Sequence, residues 1–279
     1  MDKSEQEAKV EGLWRAYLTT GEFKSERRMR RIFRMLPGTP RCKNCYAPFR
    51  GAGSRVVKLV YGKRPSNLNP QMCNVCEIFA REYQGGAEIE LSLLFADVRG
   101  STTMAEGMSP KAYSQVINRF YNAATHVLVH SDALIDKIIG DQVAGMYVPG
   151  FAGPKHALRA IEAAQEILRV TGHGGGDEPW VPLGVGVHTG MAFVGAVGSE
   201  EGTVDITVLG DTANIAARLS SNAKQGEILI SDATYAQSGL PEEGLEKHTL
   251  DLKGKSEPVT VYALTNLDPA IAAQPVSPS

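Results

Sequence analysis

The sequence predicts a fold of mixed strands and helices (α+β), preceded by a small module that cysteines hold together. From Glu88 onward, short apolar segments with strand alternation take turns with longer segments of helical periodicity. Before that point lie two helical segments, and all four cysteines of the chain follow them as two Cys-x-x-Cys pairs. With 279 residues, 43% hydrophobic, the chain is long enough for one large core and a smaller module.

The charge distribution separates the two parts of the chain. Residues 1–90 carry 17 Lys and Arg against 10 Asp and Glu, whereas residues 91–279 carry 12 against 21. The two parts therefore have different surfaces, and we expect different roles for them. No run of 18 apolar residues occurs and the first residues do not resemble a signal peptide, so we expect a soluble, cytoplasmic protein without membrane insertion.

Residues 5–36 predict two amphipathic helices. The second has an apolar stripe, and its other face is rich in arginine: Arg27, Arg28, Arg30, Arg31 and Arg34. Such a face can bind nucleic acid or an acidic partner. A solvated face is the commoner outcome and the one we expect, because few aromatic residues accompany the arginines for base stacking.

The cysteines form the pattern of a metal site. Two turns, each holding two thiols, suit tetrahedral zinc, so we expect a zinc site at Cys42, Cys45, Cys73 and Cys76. An iron–sulfur cluster is the alternative, because spacing does not report the metal, and disulfides fit a cytosolic chain less well. The 27 residues between the pairs predict a long hairpin or loop that contains residues 56–61.

A carboxylate stands at the end of a predicted buried strand. Ile89, Leu91, Leu93 and Phe95 alternate as in a strand, and Leu94 and Ala96 make the second face apolar as well, as in the centre of a covered sheet. Asp97 follows them. Gly100 permits a tight turn, and Ser101 or Thr102 is expected to cap a following helix. Taken alone, Asp97 is better explained as a helix cap than as a metal ligand.

A second carboxylate changes that balance. Residues 135–147 predict two strands joined at Gly140-Asp141, a dipeptide typical of hairpins, which places Asp141 at a loop tip. Two carboxylates on rigid strand ends can hold two divalent ions, as phosphoryl chemistry requires.

The rest of the chain continues the alternation. Helices are predicted from Ser109-Pro110 to His130, from Pro154 to Val170 and from 210 to Leu219. Strands are predicted around Thr189-Gly190 as a pair, at 205–209, at 227–230 and twice more near the end. We expect His173 to be solvated in a glycine-rich loop, His188 to be structural, and residues 267–279 to form a disordered tail.

Five segments together resemble the catalytic domain of the class III adenylate and guanylate cyclases, most closely the bacterial type. They are FADVRGST, DKIIGDQVAGMY, VGVHTGMAFVGAVG, DITVLGDTANIAARL and LKGKSEPVTVY, in the family's order. The resemblance implies a ferredoxin-like core with a mainly antiparallel sheet flanked by helices. It implies a cyclase domain over residues 87–266. The residues outside it divide, by their own patterns, into helices at 1–40, a zinc-ribbon-like metal-binding module at 41–86 and a disordered tail at 267–279.

The resemblance assigns roles to single residues. Asp97, Asp141 and the Val98 carbonyl would bind two Mg²⁺ or Mn²⁺. Arg218 would stabilise charge on the α-phosphate and Asn214 would orient the ribose, both from one helix face. Lys253 matches the triphosphate-binding lysine, with Lys255 close enough to compete for that role.

Base choice would rest on Lys137 and Thr207. An ammonium donor and a hydroxyl acceptor match adenine N1 and N6, whereas guanine would seek a carboxylate. Asp136 and Asp205 are near in sequence, but strand alternation predicts that each points to the opposite face from its neighbour. The resemblance therefore favours ATP, with guanylate cyclase activity as the alternative.

Two further expectations follow from the resemblance. Some family members carry an arginine where this chain has Gly184, and Arg99 is a candidate to replace that phosphate contact. The family's site lies between two domains, and this chain has one such domain, so we expect a head-to-tail homodimer. A monomer whose own Lys137 and Asp141 share one nucleotide is the alternative.

Overall fold

A computed structural model describes residues 3–199, 202–241, 245–251 and 258–266. Helices and strands are numbered in chain order. The helices are α1 (Lys3–Arg15), α2 (Lys24–Met35), α3 (Gly51–Tyr61), α4 (Asn74–Glu82), α5 (Ser101–Glu106), α6 (Pro110–His130), α7 (Pro149–Ala152), α8 (His156–Val170), α9 (Asp211–Asn222) and α10 (Asp232–Ser238). The strands are β1 (Gly85–Val98), β2 (Leu134–Ile139), β3 (Gln142–Tyr147), β4 (Leu183–Gly198), β5 (Val204–Leu209), β6 (Ile228–Ser231), β7 (Glu246–Leu250) and β8 (Val259–Leu264).

These strands form one sheet, in the order β2-β3-β1-β4-β6-β8-β7, with β5 paired to the other end of β4. Every pairing among the described strands is antiparallel except that of β4 with β6. The predicted α+β fold with a mainly antiparallel sheet is confirmed. Strands β1 and β4 lie at its centre, which explains why residues 91–96 are buried on both faces.

Three local predictions are wrong. The predicted pair of strands within 181–197 is a single strand, β4, which begins at Leu183 and continues through Thr189-Gly190. Residues 56–61 are helical in α3 instead of forming a hairpin, and their apolar side chains are largely exposed. Helix α5 begins at Ser101 itself, after Gly100 in the left-handed conformation (φ 65°), so no side chain caps it.

Helix α9 packs closely on β4 through glycines. A Cβ atom at Gly184 would lie 2.7 Å from the carbonyl oxygen of Ala223, and one at Gly186 would lie 2.3 Å from the amide of Ser220. No side chain fits at Gly184 on this backbone, so the missing arginine reflects the close approach of the helix.

The N-terminal helices share the core of the sheet domain. Trp14 is fully buried, and its indole N–H donates to the carbonyl of Tyr83 over 2.9 Å. The ring of Tyr17 contacts that of Phe151 at a centroid distance of 5.1 Å. Within the described ranges, no helix is long and apolar enough to span a membrane.

The arginine face of α2 is only partly solvated, contrary to expectation. Arg30 is buried and donates to the carbonyls of Asn44 and Ala133 over 2.8 and 3.0 Å. Arg34 forms an ion pair with Asp132 at 3.0 Å. Both arginines therefore attach α2 to the rest of the molecule, and the exposed positions on this face are Arg27, Arg28 and Arg31.

Candidate active site and cysteine cluster

The two predicted carboxylates lie together at one edge of the sheet. Asp97 is the last residue but one of β1 and is paired in register with Gln142 of β3, next to Asp141 in the hairpin turn. The amide of Val98 donates to the carbonyl of Asp141 over 3.1 Å, which ties the two segments together. Gly140 adopts φ 64°, as the predicted turn requires.

Burial and two neighbouring charges set the pKa of the Asp97 carboxyl. Burial raises the pKa of the Asp97 carboxyl, the Arg99 guanidinium lowers it, and the Asp141 carboxylate raises it again, with a net upward shift. Arg99 forms an ion pair with Asp97 and also donates to the carbonyl of Ser221 over 2.6 Å. Two partly buried carboxylates with hard oxygen atoms suit Mg²⁺ or Mn²⁺.

Two tyrosines border this site, and sequence reasoning did not single them out. The Tyr121 hydroxyl donates to the carbonyl of Gly140 over 2.6 Å. Burial first and the Asp141 carboxylate second raise the pKa of Tyr113 and of Tyr121. Their spacing on α6 is eight residues, which places them on one face of that helix, but a helical tyrosine pair has no distinctive sequence signal.

The predicted purine pair also lies together. Lys137 of β2 is 43% exposed, and its Nζ lies 3.6 Å from Oδ2 of Asp136. The hydroxyl of Thr207, on β5, donates to Oδ1 of the same carboxylate over 2.6 Å. Asp136 therefore joins Lys137 and Thr207, although β2 and β5 are not hydrogen-bonded neighbours in the sheet.

This arrangement corrects the prediction that strand alternation directs Asp136 away from Lys137 and Thr207. The pairing of β2 with β3 shifts between Ile135 and Lys137, which leaves Asp136 in a β-bulge. A bulge breaks the two-residue period of a strand, so neighbouring side chains can reach the same region.

The remaining predicted residues lie on or beyond α9. Asn214 is exposed and Arg218 is half-buried, four residues apart on one face of the helix. Two residues after Arg218, the hydroxyl oxygen of Ser220 lies 3.5 Å from the side-chain nitrogen of Gln142. The end of α9 therefore lies beside the carboxylates. Lys253 and Lys255 lie outside the described residues, as does the predicted tail from 267.

Comparison with known proteins decides the family. The family model for the adenylate and guanylate cyclase catalytic domain matches residues 86–266, well over half of the chain. The chain belongs to this cyclase family. The ferredoxin-like core predicted from the five motifs is confirmed with it.

Relatives of this chain include both adenylate and guanylate cyclases. It is 30% identical to an adenylate cyclase of Anabaena cylindrica over 183 residues, 62% of this chain and 36% of that protein. The crystal structure of the guanylyl cyclase Cya2 matches with a TM-score of 0.58 and 28% identity, covering 64% of this chain and 93% of that one. The adenylyl cyclase CyaB from P. aeruginosa matches with a TM-score of 0.54 and 28% identity, covering 63% and 93%.

The family match begins at residue 86, after the N-terminal part of the chain. The chain spans only about a third of the length of the curated Anabaena relative. Residues 1–85 lie outside the matched family region, and they contain the cysteines.

The four cysteines of the chain are brought together as predicted. Their Sγ atoms all lie within 4.8 Å of one another, all four are buried, and none forms a disulfide. The Sγ atoms of Cys45 and Cys73 are 3.7 Å apart. A disulfide bond would require about 2.05 Å. A zinc–sulfur distance of about 2.3 Å gives tetrahedral edges of about 3.8 Å, so the spacing fits one metal ion.

Neighbouring groups complete this cluster. The amide of Cys73 donates to Sγ of Cys42 over 3.3 Å. Burial lowers the pKa of the Lys63 ammonium, but Cys45, Cys76 and Cys73 together raise it by more, so the net shift is upward. A buried cation here would offset part of the charge of four thiolates.

Lys43, between Cys42 and Cys45, connects the cluster to the purine strands. Its side chain is buried, and Nζ donates to the carbonyl of Asp136 over 2.8 Å and to Oδ2 of Asp205 over 2.7 Å. One ammonium thus bridges β2 and β5. Sequence reasoning missed this contact, because a lysine inside a Cys-x-x-Cys turn gives no signal of its distant partners.

Two histidines have different surroundings. His173 is buried, contrary to the expected solvation, and its Nε2 accepts from the amide of Leu183 over 3.3 Å. The glycines around it fold the loop back onto the end of α8. His188 lies 2.7 Å from the hydroxyl of Ser231, a contact that fits the expected structural role.

Proposed function

We propose that this chain is an adenylate cyclase that converts ATP to 3′,5′-cyclic AMP and pyrophosphate in cyclic nucleotide signalling in the cytoplasm. The observation that carries the proposal is the proximity of the Lys137 ammonium and the Thr207 hydroxyl, both joined to Asp136 in a cyclase domain. The ammonium donates to adenine N1 and the hydroxyl oxygen accepts from the adenine amino group. The four free thiols agree with a reducing compartment.

The arrangement argues against guanine as the preferred base. Guanine presents an N–H where adenine has the N1 acceptor, and it would seek a carboxylate. Asp136 is the nearby candidate, but its side chain is fully covered, and Oδ1 already accepts from Thr207 and from the amide of Val208. Oδ2 has no hydrogen-bond partner within the described ranges but is buried, so a guanine base could reach the carboxylate only if the groups that cover it moved.

The metal-binding residues in this proposal are Asp97, Asp141 and the carbonyl of Val98. Two Mg²⁺ or Mn²⁺ ions bound there would lower the pKa of the ribose 3′-hydroxyl and stabilise the departing pyrophosphate. Arg99 now neutralises Asp97, so it would have to release that carboxylate when a metal binds. Once released, Arg99 could contact a phosphate, as its place near the site allows.

The residues of α9 and the following segment would act on the ribose and phosphates. Arg218 would bind the α-phosphate through its planar guanidinium, and Asn214 would orient the ribose. Neither side chain has a hydrogen bond or ion pair within the described ranges, which leaves both available to a ligand. Lys253 would bind the triphosphate.

We further propose that the site forms between two copies of the chain, each giving its carboxylates to the other's purine pair. The test mixes two inactive variants, Asp141→Ala and Arg218→Ala. With random pairing and subunit exchange, a mixed dimer has one intact site, so activity should return toward about a quarter of wild type. If exchange is demonstrated and the mixture stays inactive, the shared site is wrong.

The catalytic proposal is tested with purified full-length protein, Mn²⁺ and either ATP or GTP. Cyclic AMP should form faster than cyclic GMP, as quantified by mass spectrometry. Replacing Lys137 by Glu together with Thr207 by Cys should reduce the ATP rate, because the donor and acceptor that face the base would no longer match adenine. Formation of cyclic GMP alone would show a guanylate cyclase instead.

We propose that the four cysteines hold one structural zinc ion. The Sγ separations support a single ion over an iron–sulfur cluster, whose several irons would spread the thiolates further apart. Metal binding would then supply folding free energy to the module. Elemental analysis should find one zinc per chain, and a visible absorption band from iron would contradict the assignment.

A further inference from the structure

Asp136 stands out because it is a buried carboxylate that the proposed reaction does not use. Its side chain is fully covered, and the β-bulge turns it toward β5. Oδ1 accepts from the Thr207 hydroxyl over 2.6 Å and from the Val208 amide over 3.3 Å. Oδ2 has no hydrogen-bond partner within the described ranges, and the Lys137 ammonium lies 3.6 Å away.

The contact with Thr207 fixes the direction of a proton. A hydroxyl group has one proton to donate and two lone pairs that accept. The carboxylate has no proton to give, so the hydroxyl of Thr207 must donate to it. The Thr207 hydroxyl can then only accept a hydrogen bond from another molecule, through its lone pairs.

We propose that Asp136 is a positioning residue for base selection, which makes the Thr207 hydroxyl an obligatory acceptor and thereby favours adenine over guanine. The inference rests on the proposed adenylate cyclase function. The amino group of adenine donates to such an acceptor. Guanine places a carbonyl oxygen at the same position, so two acceptors would face each other and a buried group would lose its hydrogen bond.

A purely structural role is the competing explanation. Asp136 also satisfies the amide of Val208, and its carbonyl receives the Lys43 ammonium, so it could simply connect β2 to β5. A structural role predicts lower stability and lower activity with both nucleotides. The positioning role predicts a change in the ratio between nucleotides, which is independent of the fraction of folded protein.

The experiment measures kcat/KM for ATP and for GTP in the full chain and in three variants. Asp136→Ala releases the Thr207 hydroxyl to rotate and donate to guanine, so the ATP-to-GTP ratio should fall roughly tenfold or more. Asp136→Asn keeps an acceptor oxygen of the same size, so it should retain most of the ratio. Thr207→Val removes the hydroxyl and should also lower the ratio.

The decisive comparison is the double variant. If Asp136 acts through Thr207, Asp136→Ala should cause no further change in the ratio when Thr207 is already valine. An unchanged ratio in the single Asp136→Ala variant overturns the inference. An equal reduction with and without the Thr207 hydroxyl overturns it too, because the effect would then not pass through that group.

The wild-type protein separates this inference from the proposed function. Wild-type turnover of ATP with an altered ratio in the variants supports both, and wild-type turnover with an unchanged ratio rejects only the inference. If wild type cyclises neither nucleotide, the proposed function fails. The ratio of ATP to GTP dissociation constants, from competition against a fluorescent ATP analogue, then replaces the kinetic ratio. Equal binding of both nucleotides, or of neither, contradicts the inference.

Discussion

Replacing Lys43 by methionine should weaken the connection between the cysteine cluster and the purine strands. The ammonium lies 2.8 Å from the Asp136 carbonyl, and the lysine side chain is only 6% exposed. Methionine has similar length and no donor, so that carbonyl would lose a buried hydrogen bond at a cost of about 1–3 kcal/mol. The Asp205 carboxylate is 38% exposed and can be rehydrated, which limits its contribution to about 1 kcal/mol or less.

Urea unfolding, followed by the fluorescence of the two tryptophans, measures this cost. Asp205→Asn is the matched control, because it removes only the exposed end of the bridge and should cost less than about 1 kcal/mol. The metal content of Lys43→Met should be unchanged, since the four thiols remain, while KM for ATP should rise. Equal stability losses in the two variants would refute the reasoning, because they would show that the buried contact contributes nothing.

Three other changes have defined outcomes. Asp97→Ala or Asp141→Ala should abolish cyclisation while thermal unfolding stays cooperative, because each removes a proposed metal ligand without leaving a cavity in the core. Near-normal turnover in either variant would reject the two-metal site. Cys42→Ser should release zinc and unfold the N-terminal module, as measured by elemental analysis and circular dichroism; retention of metal and fold would contradict the structural role. Burial lowers the pKa of His156 and of His173 from 6.5. As the pH falls, these histidines are therefore protonated at a higher pH in the unfolded chain than in the folded one, which favours unfolding. The unfolding temperature should fall as pH drops through 6.5, and an unfolding temperature that does not change with pH in this range would refute this.

The sequence predicted the parts of the fold that depend on local pattern. The hairpin at Gly140-Asp141, the buried strand before Asp97 and the helix capped by Ser109 all lie where alternation, turn residues and caps placed them. The clustering of the four cysteine thiols was also predictable, because two Cys-x-x-Cys pairs have few structural explanations.

The failures arose where tertiary contacts override local pattern. The bulge at Asp136 cannot be read from a run of apolar and charged residues, since it depends on how β2 meets β3. Arg30 looked like part of a solvated face, but carbonyl groups distant in the chain bind it in the interior. His173 lies in a glycine-rich segment whose polarity suggested solvent, although the loop folds back onto the end of α8.

The packing of Tyr17 on Phe151 distinguishes two kinds of boundary in this chain. The family match marks residue 86 as the start of the catalytic domain, which is where the resemblance begins. The physical molecule has no boundary there, because Arg30 donates to the carbonyl of Ala133 and the Tyr17 ring packs on Phe151, and both partners lie well inside the matched region. A fragment cut at the aligned boundary would expose this apolar surface to water. The N-terminal segment is therefore part of the same hydrophobic core as the catalytic domain, and it could not be moved alone to another protein. A substitution in the core on one side of residue 86 limits which substitutions are tolerated on the other side.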